Sequence, residues 1–206
     1  MTFTYPLDFP DALIANSLAI TPRDAISRNE SPFSFEDQVY DWGGEMWTLE
    51  GTLPLMTREN ARLFQAFLLK LKGKYGTFLY PIQDAAEPLG TWTSAGGVQV
   101  DGVNVAGSHD LNLKGLTPGA TGKSGDYINL GTAAATRLHM LVDDALAAGD
   151  GTMPVKLWPA LRSATVDGEA VVTSDCKGLF RLPKNYGWSI DTNKNYMLQF
   201  GAIEVV

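Results

Sequence analysis

One segment of the sequence has a clear helical period, and it limits what the rest of the chain can form. Thr57 is placed to cap its start, and Gly73 stands where a helix is expected to end. Elsewhere, short runs alternate between apolar and polar residues and are separated by glycines, which is typical of strands and turns. We therefore predict a mainly β protein with one long amphipathic helix, whose apolar face consists of Leu63, Phe64, Phe67, Leu68 and Leu71.

A change of composition divides the chain into two β-rich modules. Residues 84–97 are rich in Gly, Ala, Ser and Thr, which predicts a connector, and many short strands with turn signals follow it. Among those signals, Asp101-Gly102 predicts a tight hairpin. We predict one domain from residues 1–83 together with 164–206, and an inserted module from residues 84–163. In the C-terminal part, the candidates for the core are Phe180, Trp188, Tyr196, Leu198 and Phe200.

The charge and the cysteine count exclude several classes of function. The chain has 16 basic and 23 acidic side chains, a net charge of −7, which argues against stable binding of nucleic acid or of an anionic membrane. No apolar run approaches the roughly 20 residues of a membrane helix, and the N-terminus does not resemble a signal peptide. We expect synthesis in the cytoplasm without membrane insertion. The single cysteine, Cys176, excludes an intramolecular disulfide and a multi-cysteine metal site.

Few residues resemble catalytic or ligand-binding motifs. Residues 122–124, Gly-Lys-Ser, match the end of a phosphate-binding loop, but Thr117 stands where that loop needs a glycine, so they predict a turn. His109 and His139 have no second ligand at metal-binding spacing. Cys176 lacks a supporting motif, and no Gly-x-Ser-x-Gly sequence occurs. We expect no catalytic residue, no metal and no cofactor.

Two stretches resemble a pattern found in the tail proteins of long-tailed bacteriophages. The first is a strand ending in a tryptophan, a proline-containing turn and a helix ending in Leu-x-Gly, at residues 35–47, 51–58 and 66–73. The second is a glycine-rich β module that ends in Trp-Pro-x-Leu-Arg, at residues 116–119, 125–131, 138–142 and 151–162. On these motifs the chain resembles the distal tail protein family, with minor tail proteins as near neighbours.

The resemblance implies a fold, an assembly and a location. The fold is a split β-barrel with one packed helix, and the inserted module is a small β-barrel on the outside. The assembly is a hexameric ring at the tip of the virion tail, which joins the tail tube to the tip hub and meets the tape-measure protein. Receptor-binding fibres attach to the inserted module. The family brings no catalytic residues, and the iron–sulphur cluster of some relatives needs several cysteines, so we expect none here.

Aromatic residues supply the candidate contact sites. Phe33, Phe35, Trp42 and Trp47 give the strands before the helix more apolar surface than one helix covers, so we place the contact between subunits there. Trp92 lies in the polar connector and is the candidate for stacking on a sugar ring. Two alternatives therefore remain: a carbohydrate-binding module that contacts host glycans through Trp92, and a cell-wall hydrolase, against which the missing catalytic motif argues.

Overall fold

The helix forms where the sequence predicts it. The computed structural model describes residues 3–54, 56–187 and 199–206. Helix α1 spans Arg58–Leu71, and the Thr57 side chain accepts a hydrogen bond from the amide of Asn60 at 3.3 Å. The helix ends at Lys72, which takes a left-handed backbone conformation. Leu63 was expected in the core but is exposed, because it lies beside the face that carries the buried residues Ala61, Phe64, Phe67, Leu68 and Leu71.

Six strands form one sheet, in the order β1-β4-β13-β14-β3-β2. They are β1 (Leu7–Asp8), β2 (Ser17–Glu30), β3 (Asp37–Thr52), β4 (Thr77–Pro81), β13 (Lys177–Arg181) and β14 (Gln199–Glu204). All neighbours are antiparallel except β1 and β4. Phe9 lies among the aromatic rings between helix and sheet, with centroid distances of 5.3 Å to Phe67, 4.8 Å to Tyr80 and 5.4 Å to Phe200.

Six further strands close into a barrel, in the order β11-β6-β5-β12-β8-β9. They are β5 (Ser94–Val100), β6 (Asp110–Leu116), β8 (Tyr127–Leu130), β9 (Arg137–Leu141), β11 (Met153–Trp158) and β12 (Ala170–Val172). A two-stranded ribbon, β7 (Thr121–Gly122) with β10 (Ala145–Leu146), lies beside it. Val100, Leu111, Leu113 and Leu130 are among the fully buried residues of a core separate from that of the sheet. The barrel is therefore packed with side chains, as expected for so few strands.

The predicted fold class is confirmed: the protein is mainly β, with one packed amphipathic helix and a closed six-stranded barrel. Short 3-10 helices occur at Asp11–Leu13, Gln83–Ala85 and Ala133–Ala135. Strand β12 pairs with β5 and β8, so the barrel extends beyond residue 163, the predicted end of the inserted module. Phe180 and Phe200 are buried, whereas Trp188, Tyr196 and Leu198 lie outside the described residues.

The expected hairpin at Asp101-Gly102 is wrong. Strand β5 ends before it and pairs with β6, which begins only at Asp110. Residues between them are held by Asn104, which exchanges hydrogen bonds with Thr165 across the end of the barrel at 2.9 and 3.0 Å. The backbone N–H and C=O of Asn104 are thus bonded to Thr165 and not to a partner strand of a tight hairpin. The segment therefore forms a longer loop between β5 and β6.

Trp47 joins the sheet to the barrel. Its indole nitrogen donates to the carbonyl of Leu138 at 3.1 Å, and its ring lies edge-on to Trp158 with centroids 4.4 Å apart. Nearby, the buried carboxylate of Glu204 accepts from the amide of Trp47 at 3.0 Å and from Arg162 at 2.9 Å. Sheet and barrel thus share a packed, hydrogen-bonded contact.

Candidate assembly surface

Strands β2 and β3 form a long hairpin, and the residues of its outer part are mostly exposed to solvent. The barrel holds the hairpin at Asp24 and Glu45, which face each other in the pairing. The indole of Trp158 donates to Asp24 at 3.2 Å, and the amide of Ala160 donates to Glu45 at 2.7 Å. Residues 25–44 lie beyond these contacts, and we call them the arm.

A bulge marks the start of the arm. Asp24 pairs with Glu45, but the next registered pair is Ile26 with Asp41, so residues 42–44 oppose Ala25 alone. Gly43 has a φ of +66°, and its amide donates to the Asp41 carboxylate at 2.8 Å. A bulge of this kind bends and twists the hairpin, which redirects the arm relative to the sheet. The double glycine thus lies within one continuous strand.

Exposed apolar side chains lie on both faces of the arm. Directly paired residues share a face, so Ile26 and Val39 lie on one side, with Tyr40 on the other. Trp42 is 74% exposed. A soluble domain ordinarily buries one face of a hairpin, and an isolated two-stranded hairpin is only marginally stable in water. The arm is therefore a surface suited to a contact with another molecule.

The turn of the arm presents two phenylalanines. Phe33 is 95% exposed and Phe35 is 76% exposed, the latter in a left-handed conformation with φ of 57°. The backbone bonds Phe35 N to Ser31 O and Ser31 N to Glu36 O, each at 2.9 Å, hold the turn. Both rings are thereby presented to solvent from an ordered turn.

Of the four residues predicted to contact another subunit, the structure exposes three together on the arm: Phe33, Phe35 and Trp42. The fourth, Trp47, is only 4% exposed, and its assignment to a subunit contact is wrong. It lies on the anchored side of the bulge, where the barrel covers it. Ile26, Val39 and Tyr40 are also exposed on the arm and were not predicted as contact residues. Val39 and Tyr40 are adjacent apolar residues on opposite faces of one strand, a pattern that indicates a strand with neither face buried.

The expected sugar contact at Trp92 is also wrong. Its side chain is 5% exposed, and its indole nitrogen donates to the buried carboxylate of Asp126 at 2.7 Å. The same carboxylate accepts the amides of Leu89 at 2.6 Å, Gly90 at 3.1 Å and Lys123 at 2.8 Å. Trp92 thus fastens the connector to the barrel, and its ring faces are not available for stacking.

The Gly-Lys-Ser segment forms the predicted turn, and its amides are occupied by carboxylates of the chain itself. Lys123 N donates to Asp126, and Ser124 N donates to Asp144 at 2.9 Å. The Lys123 ammonium also binds Asp144, at 2.7 Å. These interactions lower the pKa of the exposed Asp144 carboxyl, with the hydrogen bond from Lys123 as the largest cause. A phosphate at this turn would have to displace two carboxylates.

The remaining candidates for chemistry are His139, His109 and Cys176, and each contacts other groups of the chain. His139 is buried beneath Pro159, whose carbonyl accepts from Nδ1 at 2.8 Å, and burial lowers the pKa of His139 to about 4. His109 lies near the hairpin base, 3.5 Å from Glu45. Burial raises the pKa of the Cys176 thiol to about 12. In the described residues, no group of three or more His, Cys, Asp or Glu side chains is arranged to hold a metal ion.

Comparison with known proteins does not identify a family for the chain. No protein-family model matches the chain, and no curated protein matches it significantly. Within the described residues, no helix is both long and apolar enough to cross a membrane.

Proposed function

We propose that the protein is a structural subunit of a bacteriophage tail tip, and that its copies assemble into a ring through the arm. The observation that carries this proposal is the exposure of Phe33, Phe35 and Trp42 on a hairpin whose base is hydrogen-bonded to the barrel. Burying such side chains between copies removes a large apolar area from water, as stable oligomer interfaces do. The fold class agrees with the one that the tail-protein resemblance implies.

In the proposed assembly, six copies form a ring that continues the tail tube on one side and meets the tip hub on the other. The tape-measure protein ends at this ring. The barrel faces outward, where receptor-binding fibres attach. The role is structural: the chain binds no cofactor and catalyses no reaction. The acidic charge of −7 supports a ring through which DNA passes without being held.

The location can be tested on virions of the phage that encodes the protein. Antibodies raised against the barrel, conjugated to gold particles, are expected to label the tail end distal to the head in electron micrographs. The barrel is the suitable epitope because the proposed ring leaves it outside. Labelling along the whole tube, on the head, or only on fibres after they detach would contradict the proposed position. Virions treated with antibody that has been absorbed with purified protein provide the control.

A further inference from the structure

The outer face of helix α1 is basic and partly apolar. Away from the core the helix exposes Leu63 and Leu69, and Tyr75 is exposed just beyond its end. The charged residues of this segment are basic except for Glu59: they are Arg58, Arg62, Lys70, Lys72 and Lys74. Among the described ion pairs, none involves these five cations. A basic face of this kind in an acidic protein is suited to an acidic partner.

The arm has the opposite charge. Its only basic residue, Arg28, is already engaged, at 2.9 Å from Glu30 and 2.6 Å from Asp37. Glu36 and Asp41 add further negative charge, and both are exposed. The arm is thus an acidic surface with exposed aromatic residues, and the helix is a basic surface with exposed apolar ones.

We propose that the arm of one copy docks on the outer face of helix α1 of the next copy. This inference rests on the proposed function and specifies which two surfaces form the ring contact. Carboxylates around the tip of the arm face the helix cations, and Phe33, Phe35 and Trp42 pack on Leu63, Leu69 and Tyr75. The apolar contacts supply most of the affinity, and the charges set the register and the partner.

Charge also favours this arrangement over its nearest alternative. A two-fold contact between two arms would bring Glu36 and Asp41 of one copy towards the same carboxylates of the other, which like-charge repulsion opposes. A contact between two different surfaces leaves one free arm and one free helix at the ends of any open chain of copies. Such a contact closes into a ring when the rotation per copy allows it.

Charge reversal tests the pairing of surfaces. Glu30→Lys with Glu36→Lys in the arm, or Lys70→Glu with Lys74→Glu in the helix, is expected to weaken self-association on the order of 10- to 100-fold. Combining all four changes in one chain is expected to restore most of it, because each altered arm again meets an oppositely charged helix. The matched control for the helix variant is Lys123→Glu with Lys156→Glu, which makes the same change of charge on the barrel and is expected to leave association unchanged.

The outcomes separate the two proposals. If the wild-type protein associates and neither single-surface variant weakens it, the docking of arm on helix is wrong while the ring stands. If the combined variant stays as weak as the two single-surface variants, the two surfaces do not face each other. If the wild-type protein remains a monomer at every concentration and on purified tail tubes, the ring and this inference fail together. Circular dichroism of each variant establishes that it is folded.

Chemical cross-linking provides a second measurement that does not depend on charge. The native Cys176 is fully buried, so introduced cysteines are the reactive ones. Ser34→Cys in the arm with Ala66→Cys on the helix is expected to give a ladder of covalent oligomers with a short bismaleimide. Ser34→Cys with Val103→Cys on the barrel serves as the control and should give little beyond the monomer. Equal ladders from both pairs would overturn the proposed contact.

Discussion

Replacing Asp126 by alanine is expected to lower the free energy of unfolding by about 3–5 kcal/mol. The carboxylate is buried, and it accepts the amides of Leu89, Gly90 and Lys123 and the indole N–H of Trp92. Its removal leaves the buried indole N–H of Trp92 and three partly buried amides without their acceptor, and a buried donor without a partner costs about 1–3 kcal/mol. Urea denaturation followed by circular dichroism measures the loss.

The matched control for this change is Asp144→Ala. Asp144 binds Lys123 and Ser124 of the same turn, but it is exposed to solvent, so water replaces the lost interactions. We expect a small effect from this control, well below that of Asp126→Ala. If both variants lose the same small amount of stability, the buried carboxylate is not what holds the connector to the barrel.

Stability is expected to fall by about 3 kcal/mol between pH 6.5 and pH 4 because of His139 alone. Burial, with smaller contributions from the nearby cations Arg137 and Arg162, lowers the pKa of His139 to about 4, from 6.5 in the unfolded chain. Well above pH 6.5 the imidazole is neutral in both the folded and the unfolded state, so its titration does not reduce the free energy of unfolding. As the pH falls through this window, the unfolded chain binds a proton that the folded protein excludes, so folding becomes less favourable.

A comparison with His139→Gln isolates this contribution. Glutamine offers an amide donor to the carbonyl of Pro159 but does not titrate, so the free energy of unfolding should depend less on pH between 6.5 and 4. Other groups are common to both proteins and cancel in the difference. Glu204 is one of them: burial raises the pKa of its carboxyl, which has the opposite effect on the pH dependence. An unchanged pH dependence in the variant would contradict the assignment.

The elements that local chemistry determines were predictable from the sequence. The helix has a capping threonine, apolar residues at helical spacing and a glycine after its end, and it formed within two residues of the predicted bounds. Glycine-rich turns and alternating runs indicated the strands of the barrel in the same way. Leu63 is an exception, since helical spacing tolerates a residue at the edge of the apolar face and does not determine whether the core reaches it.

Long-range contacts account for the errors at the tryptophans. Alternation places Trp47 on one face of its strand, but the carbonyl that accepts its indole hydrogen bond belongs to Leu138, 91 positions away. Trp92 stands among small polar residues, yet its acceptor is Asp126, 34 positions away. Neither contact leaves a local signal. The arm was predictable in part: its aromatic residues indicated a contact surface, but the sequence did not show where the barrel would stop covering the hairpin.

The most direct test of ring assembly is the mass of the purified protein in solution, measured by light scattering over a range of concentrations. We predict that the wild-type protein reaches a mass of six chains. Phe33→Ser combined with Phe35→Ser and Trp42→Ser is expected to shift this association to at least roughly 100-fold higher concentration. Val103→Ser with Val105→Ser and Val166→Ser removes exposed apolar side chains from the barrel and should assemble like the wild type. An arm variant that still forms the wild-type oligomer would contradict assembly through the arm.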